Sequence, residues 1–253
     1  VEASLKQLKA FAETHDLRIW FSVRTHRHQE PQSDGIPPQL AQIDDLFEVT
    51  IQLQPEGKNI HVKATKGGRA GMLRKFGGSE KTEKAVMAAL RWLKENQKPD
   101  GSWEKPPVAM TGLGLLTFLA HGETPSSEEF GETVEKAIKY LISQQGPEGH
   151  IGTSKRPVAY QHAIATYALG EAYAMCRIPA IMPVVERATK IIVDGQQAGG
   201  GWDYAYAKGA RRDTSVCGWN IQALKAAYLA GTEVPGIEEA MKRAIRRMRT
   251  GSS

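Results

Sequence analysis

Apolar and polar positions follow two different patterns along the chain, and the change falls close to residue 69. In residues 4–14, leucine and phenylalanine recur every three residues between charged positions, which predicts a short amphipathic helix. The run 17–23 is dense in β-branched and aromatic residues and predicts a buried strand. Residues 25–43 are polar and contain three prolines, so we expect an irregular loop there.

Two further runs alternate apolar and polar residues, which is the pattern of strands with one buried face. They cover residues 47–53 and 60–64, and the stretch Pro55–Lys58 between them is typical of a hairpin turn. Residues 1–68 are therefore predicted to form a small, partial α/β segment. Residues 69–78 combine glycine, alanine and cations without any periodicity, which indicates a linker.

From residue 79 to residue 253 the periodicity is helical throughout. Amphipathic helices are predicted at 82–96, 128–144 and 180–194, and each precedes a helix poor in charge, at 107–120, 159–175 and 213–230. One more amphipathic helix is predicted at 236–248. This alternation predicts a double layer of helical hairpins with the apolar helices inside. Residues 108–120 hold no charge and should be buried on nearly every side.

A short motif, Gln-x3-Gly-x-(Trp/Ile), occurs between the two helices of each predicted hairpin. Its copies are Gln97, Gly101 and Trp103; Gln145, Gly149 and Ile151; and Gln196, Gly200 and Trp202. Successive copies are 48 and 51 residues apart at both ends of the motif, so the segment is an internal repeat.

The motif resembles the QW motif of the terpenoid cyclase and protein prenyltransferase superfamily. The stretches Asp213–Trp219 and Tyr160–Leu169 look like those of prenyltransferase/squalene-oxidase repeat proteins, and the resemblance covers about residues 76–250. It implies a mainly α fold, a partial αα-toroid of three helical hairpins plus one helix, with the inner helices around a cavity. It also implies that the motif glutamine bonds to backbone at the start of an inner helix, as a packing element without a catalytic role.

The first 68 residues resemble, by pattern alone, the second half of a P-loop NTPase core. A phosphate-binding loop needs GxxxxGK[ST], and the chain contains no such sequence, so we do not expect it to hydrolyse ATP. The chain begins at Val1 without methionine, and it stops where a fourth motif would begin. We therefore expect a fragment whose open flank, beyond helix 213–230, is apolar and promotes self-association.

Composition narrows the classes of partner. The 33 basic and 28 acidic residues are spread along the chain, so their net charge of +5 does not form the concentrated stripe that binds nucleic acid. No apolar run approaches ~18 residues, which excludes a predicted transmembrane segment. Two cysteines cannot form a disulfide framework, so a reducing, cytoplasmic location is favoured for a soluble protein.

The chemistry of the superfamily is only partly represented. Hopene-type cyclases use an Asp-x-Asp-Asp acid motif, which is absent; Asp213 remains as either a single acid or a helix N-cap. Protein prenyltransferases bind zinc through Asp, Cys and His, and Asp213, Cys217 and His162 supply those types in a different order and spacing. Aligning the repeats places His162 opposite Cys217, and near Thr111 of the first repeat.

From this alignment we expect a ligand-binding concave face lined by His162, Asp213, Cys217 and Trp219. We expect no catalytic residue, no metal site and no cofactor in this chain. Two other clusters have competing interpretations. The loop sequence His26-x-His28 with Glu30 is a metal cluster or a solvated basic turn, and the cations of 242–249 bind acidic lipid or phosphate or form the polar face of an outer helix.

Three functions follow as hypotheses. The first is a repeat scaffold that binds an apolar or isoprenoid small molecule, or a protein partner, without self-sufficient catalysis. The second is an isoprenoid-processing enzyme whose catalytic residues lie partly outside this chain. The third is a regulatory module fused to an ATPase.

Overall fold

A computed structural model of the protein describes residues 77–152, 158–209 and 213–250. It also describes the backbone of residues 51–56 and 59–64 and four separate positions, Lys6, Gln7, Ala10 and Thr14. The chain divides into two compact units, Val1–Ala88 and Ala89–Ser253. The domain limits proposed from the sequence remain predictions.

The first unit contains an antiparallel hairpin of β1 (Ile51–Glu56) and β2 (Asn59–Ala64). Its register runs from Ile51 opposite Ala64 to Glu56 opposite Asn59. The predicted hairpin is confirmed, but the predicted turn was too long, because Pro55 belongs to β1 and pairs with Ile60. Both strands of a two-stranded sheet are edge strands, where proline is tolerated.

Other predictions for the first segment lie outside the described residues. These are the strand at 17–23, the loop at 25–43 with His26, His28 and Glu30, and almost all of the linker at 69–78. Within the predicted helix 4–14, the four described positions are helical, and the Thr14 hydroxyl donates to the Ala10 carbonyl at 2.8 Å.

The described part of the chain is mainly helical, with seven helices from residue 80 onward. The three helices poor in charge, here called the inner helices, are α2 (Pro107–Ala120), α4 (Ala159–Cys176) and α6 (Thr214–Ala230). The amphipathic ones, the outer helices, are α1 (Glu80–Glu95), α3 (Gly131–Ser143), α5 (Met182–Gly195) and α7 (Ile237–Thr250). All seven predicted helices are present, with ends shifted by at most three residues.

The inner helices pack on one another, with α4 between α2 and α6. Small residues allow this approach: a Cβ on Gly112 of α2 would lie 2.8 Å from Cγ2 of Ile164 in α4. A Cβ on Gly170 of α4 would lie 3.1 Å from Cβ of Ala226 in α6. The prediction that α2 is buried on nearly every side was too strong, since Met110 is 37 % exposed.

The outer helices α3, α5 and α7 each pack against inner helices. In α5 an apolar face consists of Val184, Val185, Ala188 and Ile192, all buried. None of the described helices is both long enough and apolar enough to cross a lipid bilayer.

Candidate functional site

The three motifs build three equivalent connections, which we call junctions. The first contains Gln97–Trp103 and Thr111, the second Gln145–Ile151 and His162, and the third Gln196–Trp202 and Cys217. In each junction the residue after the glutamine donates its N–H to the carbonyl of the residue after the glycine, at 2.9, 2.8 and 2.9 Å. The sequence repeat therefore folds into one turn used three times.

Two features of each turn, its backbone conformation and its close packing, require glycine at this motif position. Gly101, Gly149 and Gly200 have φ of +88°, +89° and +81°, the left-handed region that side chains disfavour. At Gly200 a Cβ would also lie 2.6 Å from the Arg243 carbonyl oxygen of α7. The turn thus brings the backbones of two successive repeats into contact.

Each motif glutamine ties its own turn to the next outer helix. The Gln196 amide donates to the Gly200 carbonyl at 3.1 Å and to the Ala240 carbonyl of α7 at 2.8 Å. The corresponding pairs are Gly101 and Thr133 for Gln97, and Gly149 and Val184 for Gln145, at 2.8–3.0 Å. The expectation that this glutamine bonds at the start of an inner helix was wrong: its second partner belongs to an outer helix.

An arginine on that outer helix completes the second and third junctions. Arg187 Nε donates to Gln145 Oε1 at 3.0 Å, and Arg243 Nε donates to Gln196 Oε1 at 2.8 Å. Each arginine lies three residues after the carbonyl that the glutamine binds. In the first junction the same position is Lys136.

The tryptophans anchor the junction to the preceding outer helix. Trp103 Nε1 donates to the Leu93 carbonyl at 2.9 Å, and Trp202 Nε1 donates to the Ile192 carbonyl at 2.7 Å. Ile151, which is fully buried, takes this position in the second junction and has no side-chain donor.

The backbone N–H of that last motif residue is accepted by a different side chain in each junction. Trp103 donates to Thr111 Oγ1 at 3.3 Å, Ile151 to His162 Nδ1 at 3.0 Å, and Trp202 to Cys217 Sγ at 3.4 Å. All three acceptors are buried, at 0–2 % exposure. They are the positions that the alignment of the repeats places opposite one another.

His162 is held in one neutral tautomer. Its Nδ1 accepts from Ile151, so Nε2, 3.0 Å from the Ala188 carbonyl, is the nitrogen that donates. Burial lowers the pKa of His162 to about 3. The His150 ring lies 5.2 Å from the His162 ring, with both nitrogens buried and without a hydrogen-bond partner, and burial lowers its pKa as well.

Asp213 caps α6, which confirms the N-cap interpretation. Its carboxylate accepts from the N–H groups of Ser215 and Val216 at 2.9 and 3.0 Å, and from the Tyr204 hydroxyl at 2.7 Å. Hydrogen bonds from the Ser215 side chain, Tyr204 and Val216 lower the pKa of Asp213 to about 2. The Ser215 hydroxyl also bonds to that of Tyr160.

The predicted ligand-binding residues therefore differ in environment. His162 and Cys217 lie inside two separate junctions, Asp213 lies at the exposed start of α6, and Trp219 is half-buried in α6. Their role in binding a ligand stays a prediction. Within the described ranges, no three His, Cys, Asp or Glu side chains lie together as metal ligands would.

Sequence reasoning missed Arg187, Tyr204 and His150. It counted Arg243 among the cations of 242–249, as a ligand-binding group or part of a polar helix face, and did not predict its bond to Gln196. The two arginines could have been found, because they are 56 residues apart, the same offset as Val184 and Ala240.

A comparison with protein-family models and with curated protein sequences finds no match to this chain.

Proposed function

We propose that this chain is a repeat scaffold of the αα-toroid type, similar to the terpenoid cyclase and protein prenyltransferase superfamily. It binds an apolar or isoprenoid ligand, or a protein partner, through residues of its inner helices and has no self-sufficient catalysis. The motif residues are structural. Of the predicted set His162, Asp213, Cys217 and Trp219, the partly exposed Asp213 and Trp219 are the residues proposed to contact the ligand, because His162 and Cys217 are buried at 0 % and 2 % exposure.

One observation carries the proposal. The side chains whose types the superfamily uses for chemistry are engaged in internal hydrogen bonds. His162 and Cys217 accept backbone N–H groups of the motif, and Asp213 caps α6. A zinc ligand must offer a free lone pair, and at His162 one ring nitrogen accepts an N–H while the other donates to a carbonyl. This supports a scaffold over a metal enzyme.

Asp213 also argues against the cyclase alternative. Protonation of an alkene needs a carboxylic acid that still carries its proton. Hydrogen bonds to Ser215, Tyr204 and Val216 favour the carboxylate and lower the pKa of Asp213 to about 2. At neutral pH this group is therefore a hydrogen-bond acceptor rather than an acid.

The test combines turnover with binding. The whole chain is incubated with squalene, and separately with farnesyl diphosphate, a cysteine peptide and Zn²⁺; we expect no product and no stoichiometric zinc. A fluorescent prenyl probe should bind saturably and lose at least tenfold in affinity in Trp219→Ala. The matched control, Trp92→Ala, removes a tryptophan that is 60 % exposed on α1 and should leave binding unchanged.

Product formation that disappears in Asp213→Asn or Cys217→Ser would overturn the scaffold proposal in favour of the enzyme. Probe binding that is equal in Trp219→Ala and Trp92→Ala would remove Trp219 from the ligand face.

A further inference from the structure

The connection between Trp202 and α6 is longer than its equivalent in the first repeat. It comprises the eleven residues 203–213, whereas the three residues 104–106 join Trp103 to α2. The part of this connection that the structure describes, residues 203–209, is here called the latch. Its residues are exposed or half-buried except Tyr206, which is 8 % exposed. A segment at the surface therefore inserts one side chain into the core.

The latch lies over the starts of α4 and α6. The Tyr204 carbonyl accepts the Ala159 N–H at 2.9 Å, and the Tyr204 ring packs on the Tyr160 ring with centroids 5.8 Å apart. The Tyr204 hydroxyl donates to Asp213 Oδ2 at 2.7 Å. Asp213 is a proposed ligand contact, so a ligand that binds this carboxylate oxygen competes with Tyr204.

Tyr206 anchors the latch between three helices. Its hydroxyl donates to Asn220 Oδ1 of α6 at 2.8 Å, and the Asn220 amide nitrogen is held by the Val216 carbonyl at 2.9 Å. The Tyr206 ring lies edge-on to the His162 ring of α4, with centroids 5.6 Å apart. A Cβ on Gly195, at the end of α5, would lie only 2.5 Å from Cδ1 of Tyr206. The ring fits here because residue 195 is glycine.

The backbone at Tyr206 is strained in this arrangement. Apart from glycines, Tyr206 and Arg177 are the only residues in the described ranges with positive φ, at +57° and +52°. Arg177 ends α4, where a left-handed residue is common, but Tyr206 is not at a helix end. Strain of this kind persists only where the surrounding packing holds it. Withdrawal of Tyr206 would relax the backbone and so lower the cost of opening the latch.

The far end of the latch is tied to the end of α5. The Lys208 ammonium donates to the carbonyls of Asp194 and Gln196, the latter at 2.9 Å. The Gln197 amide donates to the Ala207 carbonyl at 3.1 Å. Opening is therefore confined to residues 203–206, which include both tyrosines.

We propose that the latch regulates the ligand site: the site is closed while Tyr206 lies between α4, α5 and α6, and it opens when Tyr206 withdraws and Tyr204 leaves Asp213. The proposal rests on the scaffold function and names the regulation of its site. Because only molecules with an open latch bind, the closed state weakens the apparent affinity for ligand. By linkage, bound ligand favours the open latch by the same factor.

Two substitutions that each add one methyl group test the latch in the whole chain. Gly195→Ala places the methyl group where the Tyr206 ring lies and should displace it. Gly209→Ala, the matched control, adds it within the latch, where a Cβ meets nothing within 4 Å. Tyr206→Asn is a second opening variant, because asparagine lacks the ring and tolerates positive φ. It decides the question if circular dichroism shows that Gly195→Ala does not fold.

Nitration by tetranitromethane, located by peptide mapping, reports the accessibility of Tyr206. The reagent attacks the phenolate, and burial raises the pKa of the Tyr206 phenol, so the closed latch should react slowly. We expect Tyr206 to react at least tenfold faster in Gly195→Ala than in the wild type or Gly209→Ala. Tyr140, buried on α3, should stay unreactive in all three proteins.

The prenyl probe links this opening to the ligand site. It should bind at least tenfold more tightly to Gly195→Ala and Tyr206→Asn than to the wild type or Gly209→Ala. A saturating concentration of probe should accelerate nitration of Tyr206 in the wild type at least tenfold.

Probe affinity that is equal or lower in the opening variants overturns the proposal, and so does nitration of wild-type Tyr206 that the probe does not accelerate. Probe binding by none of the proteins would remove the ligand site itself, and this proposal with it. Failure of the latch alone is distinguishable, because the probe then binds the wild type and does not favour the opening variants.

Discussion

The second and third junctions have the same backbone but different side chains at their centres. Both contain a glutamine that bridges two carbonyls, a glycine with positive φ and an arginine on the glutamine oxygen. The second ends in Ile151 and uses an imidazole as acceptor; the third ends in Trp202 and uses a thiol. The first junction adds a hydroxyl to this series.

This difference shows that a junction requires a hydrogen-bond acceptor at this position but does not require one particular side chain. A buried N–H must find an acceptor, because leaving it unpaired costs about 1–3 kcal/mol. The hydroxyl, the imidazole nitrogen and the sulfur all satisfy that need. Histidine and cysteine at these positions are thus explained by hydrogen bonding within the fold, without a metal.

The largest expected difference between the junctions is at the last motif residue. Trp202→Ala should lower the free energy of unfolding by about 3–5 kcal/mol, because it empties a fully buried site and loses the bond to the Ile192 carbonyl. Ile151→Ala should cost at least about 1 kcal/mol less, since fewer atoms and no side-chain bond are lost. Urea unfolding measures both; equal losses would show that the indole bond contributes nothing.

The second largest loss of stability is expected at the motif glycine. Gly200→Ala should destabilise the fold by roughly 2–4 kcal/mol, because a left-handed conformation is combined with a 2.6 Å approach to the Arg243 carbonyl. Gly231 is the matched control, with φ of +89° and nothing within 4 Å of a Cβ. Gly231→Ala should cost only about 1–2 kcal/mol. Comparable losses in the two variants would mean that the close approach is relieved without cost.

The bridging glutamine should matter more in the third junction than in the second. Gln196 is buried and Gln145 is partly exposed, so water can replace more of the bonds that Gln145 makes. We expect Gln196→Ala to cost about 1–3 kcal/mol and Gln145→Ala less. As a control, Gln222→Ala at an exposed position of α6 should change the free energy of unfolding by close to zero. Thermal unfolding of the three variants checks the order.

The last comparison concerns a pH dependence confined to the second junction. The pKa of His162 falls from 6.5 to about 3 on folding, so below pH 6.5 the unfolded chain binds a proton that the folded chain does not. This contribution to stability is fully present above pH 6.5 and is lost towards pH 3, by about 1.4 kcal/mol per pH unit.

Urea unfolding between pH 7 and pH 4 tests this dependence. His162→Gln should flatten the slope, and His150→Gln should flatten it in part, because burial lowers the pKa of that ring too. Cys217→Ser, the control in the third junction, should keep the wild-type slope. An unchanged slope in His162→Gln would show that other groups cause the acid sensitivity.

Local sequence was sufficient for most helix ends. The predicted helix at 107–120 coincides with α2, because the prolines at its start and the loss of apolar character at its end are local signals. The predicted helix at 128–144 began three residues early. The Thr124–Ser127 turn, closed by a 2.9 Å bond from Ser127 N–H to the Thr124 carbonyl, delays the start of α3 to Gly131.

The candidate site was less accessible to prediction. The repeat placed Thr111, His162 and Cys217 in equivalent positions, yet it did not reveal that each accepts a backbone N–H. His150 lies within the second copy of the motif, but nothing in the sequence indicated that its ring packs 5.2 Å from the His162 ring with both nitrogens buried.

By itself, the sequence determined the helical periodicity, the three copies of the motif and the cap at Asp213, because these depend on residues within a few positions of one another. The tertiary structure decided which carbonyls the glutamines bind, 36, 39 and 44 residues further along. It also decided that His162 is neutral and that Ile245 and Met248 are exposed. Those properties arise from the packing of one repeat on the next, and periodicity within a single helix does not specify them.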